Sequence, residues 1–408
     1  MNLQMDNTAK QFLAMLGCFL RQMPWEPPKD LNLPEWYRLS KIHSLEPVLY
    51  HMIKPLQGSF SQRFPQPMVK LEKSYRAAVY YALTQESRMG DILPTFQENG
   101  VDLVVFKGYR LKDCYPVPEL RTMGDLDFLI REEDRDRSHR LLCELGYECT
   151  IDSGDVWVYR KGDTSLEVHT DIARNLPNHP FDYQSYFSDA IRHTEPYRGY
   201  TCLETNYHLI FLIYHIAKHL ACTGAGIRLF MDIALYVRAF ADRLHWDYLW
   251  NSWRQAGLDR VASAVFFLCN RWFGTQVPVE CPLSKEGLGA LESYIISGGF
   301  FGFETHSAGD LSLRQGVVEN KHFPRLILHL ALLKNYIFPS IEHLKKSYPP
   351  LEKHRCLLPV AWAKRWWQGM FHRRKNSLSM VKTITTGDTS RAEMEQRLLG
   401  ELGLYKES

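Results

Sequence analysis

The chain has 408 residues, of which 45% are hydrophobic and 23% charged, a composition that supports a large core and predicts two or three domains rather than one. Lysine plus arginine number 49 against 46 acids, a net charge of only +3, which excludes a surface coated for nucleic-acid binding while leaving room for a local patch. The nine cysteines are scattered with no C-x-x-C among them, which argues against a disulfide framework or a zinc knuckle and for reduced thiols.

The opening residues, MNLQMDNTAK, have neither a basic nor an apolar signal region. Apolar runs such as Leu209–Ile213 and Val261–Cys269 fall short of the ~18 residues that a spanning helix needs. The expectation is a cytoplasmic protein without a transmembrane segment. Leu13, Leu16, Phe19 and Leu20, then Trp36, Leu39 and Ile42, then Val48, Leu49 and Met52, recur at helical spacing. A third helical stretch runs from Met68 to Glu98 and is ended by Gly100, where a helix C-terminus favours glycine.

The pattern then changes to short β-branched runs. Val101–Phe106, Leu126–Ile130, Tyr147–Ile151, Val156–Arg160 and Ser165–Thr170 read as strands, with a helix over Glu132–Leu145. They predict a mixed sheet of four or five strands over residues 95–172. Helices return at Asn206–Ala221, Arg228–Ala241, Trp246–Ala256 and Arg260–Phe273, with several more to about 340. Gly298–Gly302 reads as a loop, as does Ser377–Thr389 before a last helix at Arg391–Leu402.

The chemistry-bearing segment is VVFKGYRLKDCYPVPELRTMGDLDFLI, residues 104–130. Side chains alternate along a strand, so Asp125 and Asp127 share one face while Leu126 and Phe128 share the other. Paired carboxylates on a strand suit hard divalent cations. Roughly five acid-x-acid pairs are expected by chance in a chain this acidic, so the pair is weak by itself. A third acid strengthens it: in Leu166-Glu167-Val168-His169, Glu167 shares a face with His169. If that strand lies beside 125–130, the three carboxylates converge and can hold two Mg²⁺ ions ~3.5–4 Å apart for phosphoryl chemistry.

Strand, Lys107-Gly108, helix, Asp125-Leu126-Asp127 and a later strand bearing Glu167 resemble the DNA polymerase beta-like nucleotidyltransferase superfamily. More closely, the K-G, R-x-x-x-D-x-D and E-x-H blocks resemble a bacterial group of uncharacterised nucleotidyltransferases. EWYRLSKIHSLEPVLYHMI (35–53), HIAKHL with IRLFMDIALYV (215–237) and YPPLEKHRCLLPVAWAKRWW (348–367) extend the likeness over most of residues 30–375. The superfamily normally has Gly-Ser or Gly-Gly where this chain has Gly108-Tyr109.

The resemblance implies an α+β fold, a small mixed β-sheet nucleotidyltransferase core flanked by N-terminal and C-terminal helical regions. The expected division is 1–94 N-terminal helical, 95–195 core, 196–345 helical domain and 346–408 basic segment and tail. It also implies an enzyme with a two-metal mechanism. Such an enzyme moves an NMP from an NTP to a small-molecule or protein acceptor and releases pyrophosphate. Asp125, Asp127 and Glu167 would hold Mg²⁺ or Mn²⁺; Lys107, Gly108, Tyr109 and Arg121 would bind nucleotide, ATP being one donor. The alternatives are a non-catalytic NTP- or partner-binding relative and a nucleic-acid end-modifying enzyme.

His169 reads equally as a substrate contact and as a structural histidine. His215, Lys218, His219, Arg228 and Asp232 are candidate cleft-lining residues. His215 and His219 have i,i+4 zinc spacing but lack the glutamate of H-E-x-x-H and an obvious third ligand, and Arg228 with Asp232 also reads as a helix ion pair. Residues 341–376 carry nine Lys/Arg interleaved with Trp362, Trp366, Trp367 and Phe371. This stretch has the composition to meet an anionic lipid surface peripherally, or nucleic acid. The favoured reading is a helix packing its tryptophans on the body with its charges solvated.

Overall fold

The computed structural model describes residues 5–153, 156–222, 224–299, 325–344, 348, 350–371, 381, 384–385 and 389–405. The N-terminal region is helical as the spacing predicts: α1 (Asn7–Arg21), α2 (Leu33–Ile42), α3 (Glu46–Ile53), α4 (Gln57–Arg63) and the long α5 (Pro65–Glu98). Local chemistry fixes the ends. Asp6 caps α1 by accepting from the Ala9 N–H, and Asn32 caps α2 through the Glu35 N–H. Gly100 takes φ +64° and the Val101 N–H returns to the Phe96 carbonyl at 3.0 Å, the left-handed closure that glycine permits after α5.

Seven strands form one mixed sheet: β1 (Val104–Phe106), β2 (Leu126–Leu129), β3 (Glu148–Ser153), β4 (Val156–Lys161), β5 (Thr164–His169), β6 (Thr194–Tyr197) and β7 (Tyr200–Leu203). Their order is β3-β4-β5-β2-β1-β7-β6. β2/β5 and β1/β7 are parallel and the other neighbours antiparallel. The sheet is therefore wider than the four or five strands over 95–172 that the sequence suggests. The extra hairpin turns on Arg198 (φ 45°) and Gly199 (φ 86°) between paired Tyr197 and Tyr200. Two positive φ angles in a two-residue loop match the right-handed twist of the strands they join. Pro196 is tolerated because β6 is an edge strand, where a missing N–H breaks no inner ladder.

The two faces of the sheet are covered differently. Leu126, Phe128, Leu166 and Val168 pack with Met89, Ile92 and Phe96 of α5 and with Leu141 and Leu142 of α7 (Arg135–Glu144). The opposite face presents Phe106 and Leu129 to α9 (Thr205–Cys222), with Phe106 and Phe211 edge to face at 5.6 Å. That second apolar cluster runs on without a break. It joins α1–α3 to α9, α10 (Ile227–Ala239), α12 (Asp259–Phe273) and α13 (Lys285–Gly298), so helices far apart in sequence share one core. The class is α+β, a mixed sheet with helical flanks.

Toward the C-terminus, helices cover Arg325–Ile337, Leu358–Phe371 and Thr389–Glu401. In the basic stretch, the Trp362 and Trp366 indoles donate to the carbonyls of Pro339 and Ile337, and Arg365 donates to Tyr336. Trp362 and Trp366 thus tie this helix to the end of Arg325–Ile337 and the segment just after it, while Trp367 is exposed. Of the loop read at Ser377–Thr389, the described residues Val381, Ile384 and Thr385 are helical, Thr385 Oγ1 bonding the Val381 carbonyl. The rest of that stretch, like 300–302 of the glycine loop, lies outside the described residues. Among the described residues no helix is long and apolar enough to cross a membrane.

Candidate active site

Sheet register assembles the site. β1 and β2 place Phe106 opposite Asp127, while β2 and β5, lying parallel, place Asp127 beside Glu167 and Leu129 beside His169. Alternation sends Leu126, Phe128, Leu166 and Val168 into the α5 side, and Asp127, Glu167 and His169 emerge together on the other. One donor atom from each of these three lies within 4.8 Å of the others. His169 Nε2 is 3.1 Å from Asp127 Oδ1 and 3.5 Å from Glu167 Oε2.

Lys107 completes the cluster from the turn after β1. Its Nζ is 2.6 Å from Asp127 Oδ1 and 4.9 Å from the centre of the Phe106 ring. Burial works against the charge on Asp127, yet Lys107 and His169 hold its carboxyl far below the ordinary range. Glu167 is also lowered, first by its hydrogen bond with His169. Asp125, one residue before β2, goes the other way: burial and then the charges of Asp127 and Glu167 push it up to about 7. It hydrogen-bonds Glu167, and at neutral pH it can carry the proton of that bond. The donors that share a common space are thus Asp127, Glu167 and His169, with Asp125 joined to them through Glu167.

This donor set fits a divalent cation. Carboxylate oxygens crowd together with the Lys107 ammonium against them, and oxygen donors suit hard ions. The crowding shows in Asp125, whose pKa is raised first by burial and then by the charges of Asp127 and Glu167, against the lowering influence of Lys107.

The remaining predicted residues are placed as follows. Gly108 opens α6 (Gly108–Lys112) and is enclosed rather than open. A Cβ there would come within 2.8 Å of Met123 Sδ and 2.9 Å of Arg121 Nη1. The Tyr109 hydroxyl donates to Glu86 of α5 at 2.9 Å. Arg121 is buried, with Nε and Nη2 on the two Asp232 oxygens at 3.0 and 2.8 Å, and Tyr115 donates to the same carboxylate at 2.8 Å. Asp232 therefore joins α10 to the segment before β2, and Arg228 spends Nη1 on the carbonyl and hydroxyl of Thr122.

His215 and His219 are brought together, their Nε2 atoms 3.1 Å apart. Burial holds His219 down to about 4 and His215 well below the ordinary histidine value. Among the described residues no third histidine, cysteine or acid joins them as a metal group. His215, Lys107, Arg121 and Asp232 line a cavity of about 30 Å³, the space of a single water. Lys218 is lowered to about 8 by burial, then by the charge of Lys107.

Two contributors were not singled out from the sequence. His208 of α9 accepts the Lys107 N–H at 3.3 Å, and Tyr115 completes the Arg121–Asp232 group. A histidine on an otherwise apolar helix face and a tyrosine in a loop give no local signal of this; only the packing of α9 and α10 on the sheet reveals it.

A mixed sheet that brings two carboxylates and an imidazole together beside a Lys-Gly turn has the make-up of the nucleotidyltransferase class. The family described as uncharacterised nucleotidyltransferase matches residues 29–274, well over half of the chain, and the protein belongs to that family. Among solved structures, the chain has a likeness to the solution structure of the antibiotic-resistance factor ANT(2'')-Ia. The identity is 15%, over 42% of this chain and 92% of that one, with a TM-score of 0.31. No curated protein matches the chain significantly.

Proposed function

We propose that the protein moves a nucleoside monophosphate from an NTP to an acceptor hydroxyl on a small molecule or protein. The acceptor oxygen bonds the α-phosphorus, the bond from that phosphorus to the bridging oxygen breaks, and pyrophosphate leaves. The observation that carries the reading is the convergence of Asp127, Glu167 and His169, with Asp125 attached, in a chain of this family.

Asp127 and Glu167, with Asp125 beside them, would hold a Mg²⁺ or Mn²⁺ ion, which supplies charge neutralisation to the triphosphate when bound. Glu167, with a third of its side chain exposed, is the carboxylate that an incoming hydroxyl can reach, and it takes the hydroxyl proton. Lys107 and Lys218 supply positive charge for the phosphates. Gly108 keeps Arg121 and Met123 seated against the turn. The pairing of Arg121 with Asp232 makes it a brace for that turn.

The test is transfer of label from α-³²P NTPs in the presence of Mg²⁺ or Mn²⁺, preceded by calorimetric titration of each NTP. Binding of one NTP that disappears in Asp127→Asn supports the site. Binding and transfer that survive in this variant overturn it. A second reading, NTP binding without transfer, is favoured by Tyr109, which takes the place of the superfamily's serine or glycine and whose hydroxyl donates to Glu86. Tight NTP binding without label transfer to any acceptor in a broad screen would select it.

A further inference from the structure

We propose that Lys107 is a built-in counter-ion: its ammonium stands against Asp127 in the place a divalent cation would take, and it must be drawn off, by phosphate, before that cation binds fully. The inference rests on the nucleotidyl-transfer reading of the same site.

Three observations carry it. The first is position. Lys107 Nζ is 2.6 Å from Asp127 Oδ1, and His169 Nε2 is 3.1 Å from that same oxygen. A metal ligated by this oxygen competes directly with the ammonium. The second is backbone conformation. Lys107 sits at φ 53°, ψ −125°, a region that suits glycine, although glycine follows it in the chain. A glycine at 107 would adopt this turn without strain, so the strained lysine is kept for its side chain. The third is the support beneath it. His208 Nε2 accepts the Lys107 N–H at 3.3 Å. The other ring nitrogen of His208 is buried and has no hydrogen-bond partner among the described residues. A leucine of similar size would leave no orphaned N–H, so the imidazole is retained at a cost, and its one hydrogen bond goes to the strained residue. Only a tautomer with the proton on Nδ1 lets Nε2 accept, so His208 is a positioning residue acting through Lys107.

The charge balance gives the device its logic. Without cation, the Lys107 ammonium partly neutralises the crowded carboxylates of Asp127 and Glu167, with Asp125 hydrogen-bonded to Glu167. When phosphate oxygens arrive they offer Lys107 a second anionic partner, the ammonium transfers to them, and Asp127 Oδ1 becomes free for the divalent ion. Cation and triphosphate should therefore bind more tightly together than apart.

The experiment measures free Mn²⁺ by electron paramagnetic resonance with and without the full chain, for Mn²⁺ alone and with added inorganic tripolyphosphate, the matched protein-free solutions giving the Mn²⁺ that tripolyphosphate itself chelates. In the wild type, tripolyphosphate is expected to tighten Mn²⁺ binding. Lys107→Met is expected to tighten binding of Mn²⁺ alone on the order of tenfold, and to lose most of the gain from tripolyphosphate. His208→Leu should shift Mn²⁺ affinity in the same direction, while His208→Gln, which keeps an acceptor for the Lys107 N–H, should stay near wild type. Mn²⁺ binding by Lys107→Met that is unchanged or weaker overturns the proposal, while loss of binding in Asp127→Asn would leave the acidic site itself standing. If neither the wild type nor Lys107→Met binds Mn²⁺, with or without tripolyphosphate, the nucleotidyl-transfer reading falls and the counter-ion falls with it. A His208→Leu that melts earlier but keeps wild-type Mn²⁺ affinity removes His208 from the device. Lys107→Met decides the rest even if His208→Leu does not fold.

Discussion

Two buried charge clusters lie close together along the segment that leads into β2, and they are built in opposite ways. Around Arg121 the donors and acceptors close on one another: two guanidinium bonds and one tyrosine hydroxyl meet the two oxygens of Asp232. Around Asp127 they do not close. Asp125, Asp127 and Glu167 face Lys107, and one of the three acids is driven to hold its proton. A closed network fixes helices to the sheet and needs nothing more. An open one, with surplus charge of one sign, is prepared for a partner of the other sign. Arg121 thus has its guanidinium bonded to Asp232, whereas Lys107 is paired within the open cluster, as the counter-ion proposal requires.

This contrast predicts opposite phenotypes for neighbouring acids. In the open cluster, Asp127→Asn should lower transfer by roughly 10³-fold or more, since a lost cation ligand removes several kcal/mol of charge stabilisation. Circular dichroism should show an intact fold. Full activity in that variant would erase the distinction between the clusters. In the closed cluster, Asp232→Ala should cost about 3–5 kcal/mol in urea unfolding, because Arg121 is left buried without its counter-charge. The double replacement Arg121→Leu/Asp232→Leu should recover most of that loss, and a loss as large as that of the single variant would show that the pair is not isolated from its surroundings.

His43 sharpens the comparison with a neutral, closed example. Its Nδ1 accepts the Ile227 N–H and its Nε2 donates to the Ile296 carbonyl, joining the end of α2 to α10 and α13. Burial lowers it from 6.5 to about 4. The unfolded chain therefore takes up the proton first. The stability tied to His43 is fully present above pH 6.5 and drains away between 6.5 and 4, by up to about 3 kcal/mol. Chemical denaturation across that range should show a shallower decline in His43→Gln than in the wild type. Identical slopes would remove His43 from the account.

The smallest effect belongs to the wall between the clusters. Gly108→Ala pushes a methyl group toward Met123 and Arg121, and should cost about 1–3 kcal/mol. Because the methionine can yield and the Asp232-bound arginine cannot, combining it with Met123→Ala should relieve much of the overpacking. Additive losses in the double variant would place the strain on Arg121 instead.

Much of this was legible in the chain. Period-3.6 apolar spacing located α1, α2, α3 and α5, and Gly100 marked where α5 ends. Short β-branched runs and turn signals located β1 to β5 to within a few residues, and alternation put Asp125 and Asp127 on one face of their strand. The β6–β7 hairpin went unread, although Arg198-Gly199 between tyrosines carried a two-residue turn signal, because Pro196 and the brevity of both strands weakened it. The partners of Arg121, His169 and Tyr109 were not legible, since each depends on which distant residue its polar atoms meet.

By itself, then, the sequence determined the local periods: which segments coil, which extend, and which face of each strand carries acid. These follow from steric and hydrophobic preferences that act over a few residues. Tertiary structure alone decided the pairings. Parallel β2 and β5 set Asp127 beside Glu167, α10 delivered Asp232 to Arg121, and α9 delivered His208 to the backbone of Lys107. Charges respond to neighbours within a few ångströms in space whatever their separation along the chain. The contrast between the closed cluster and the open one therefore exists only once the sheet and its helices have come together.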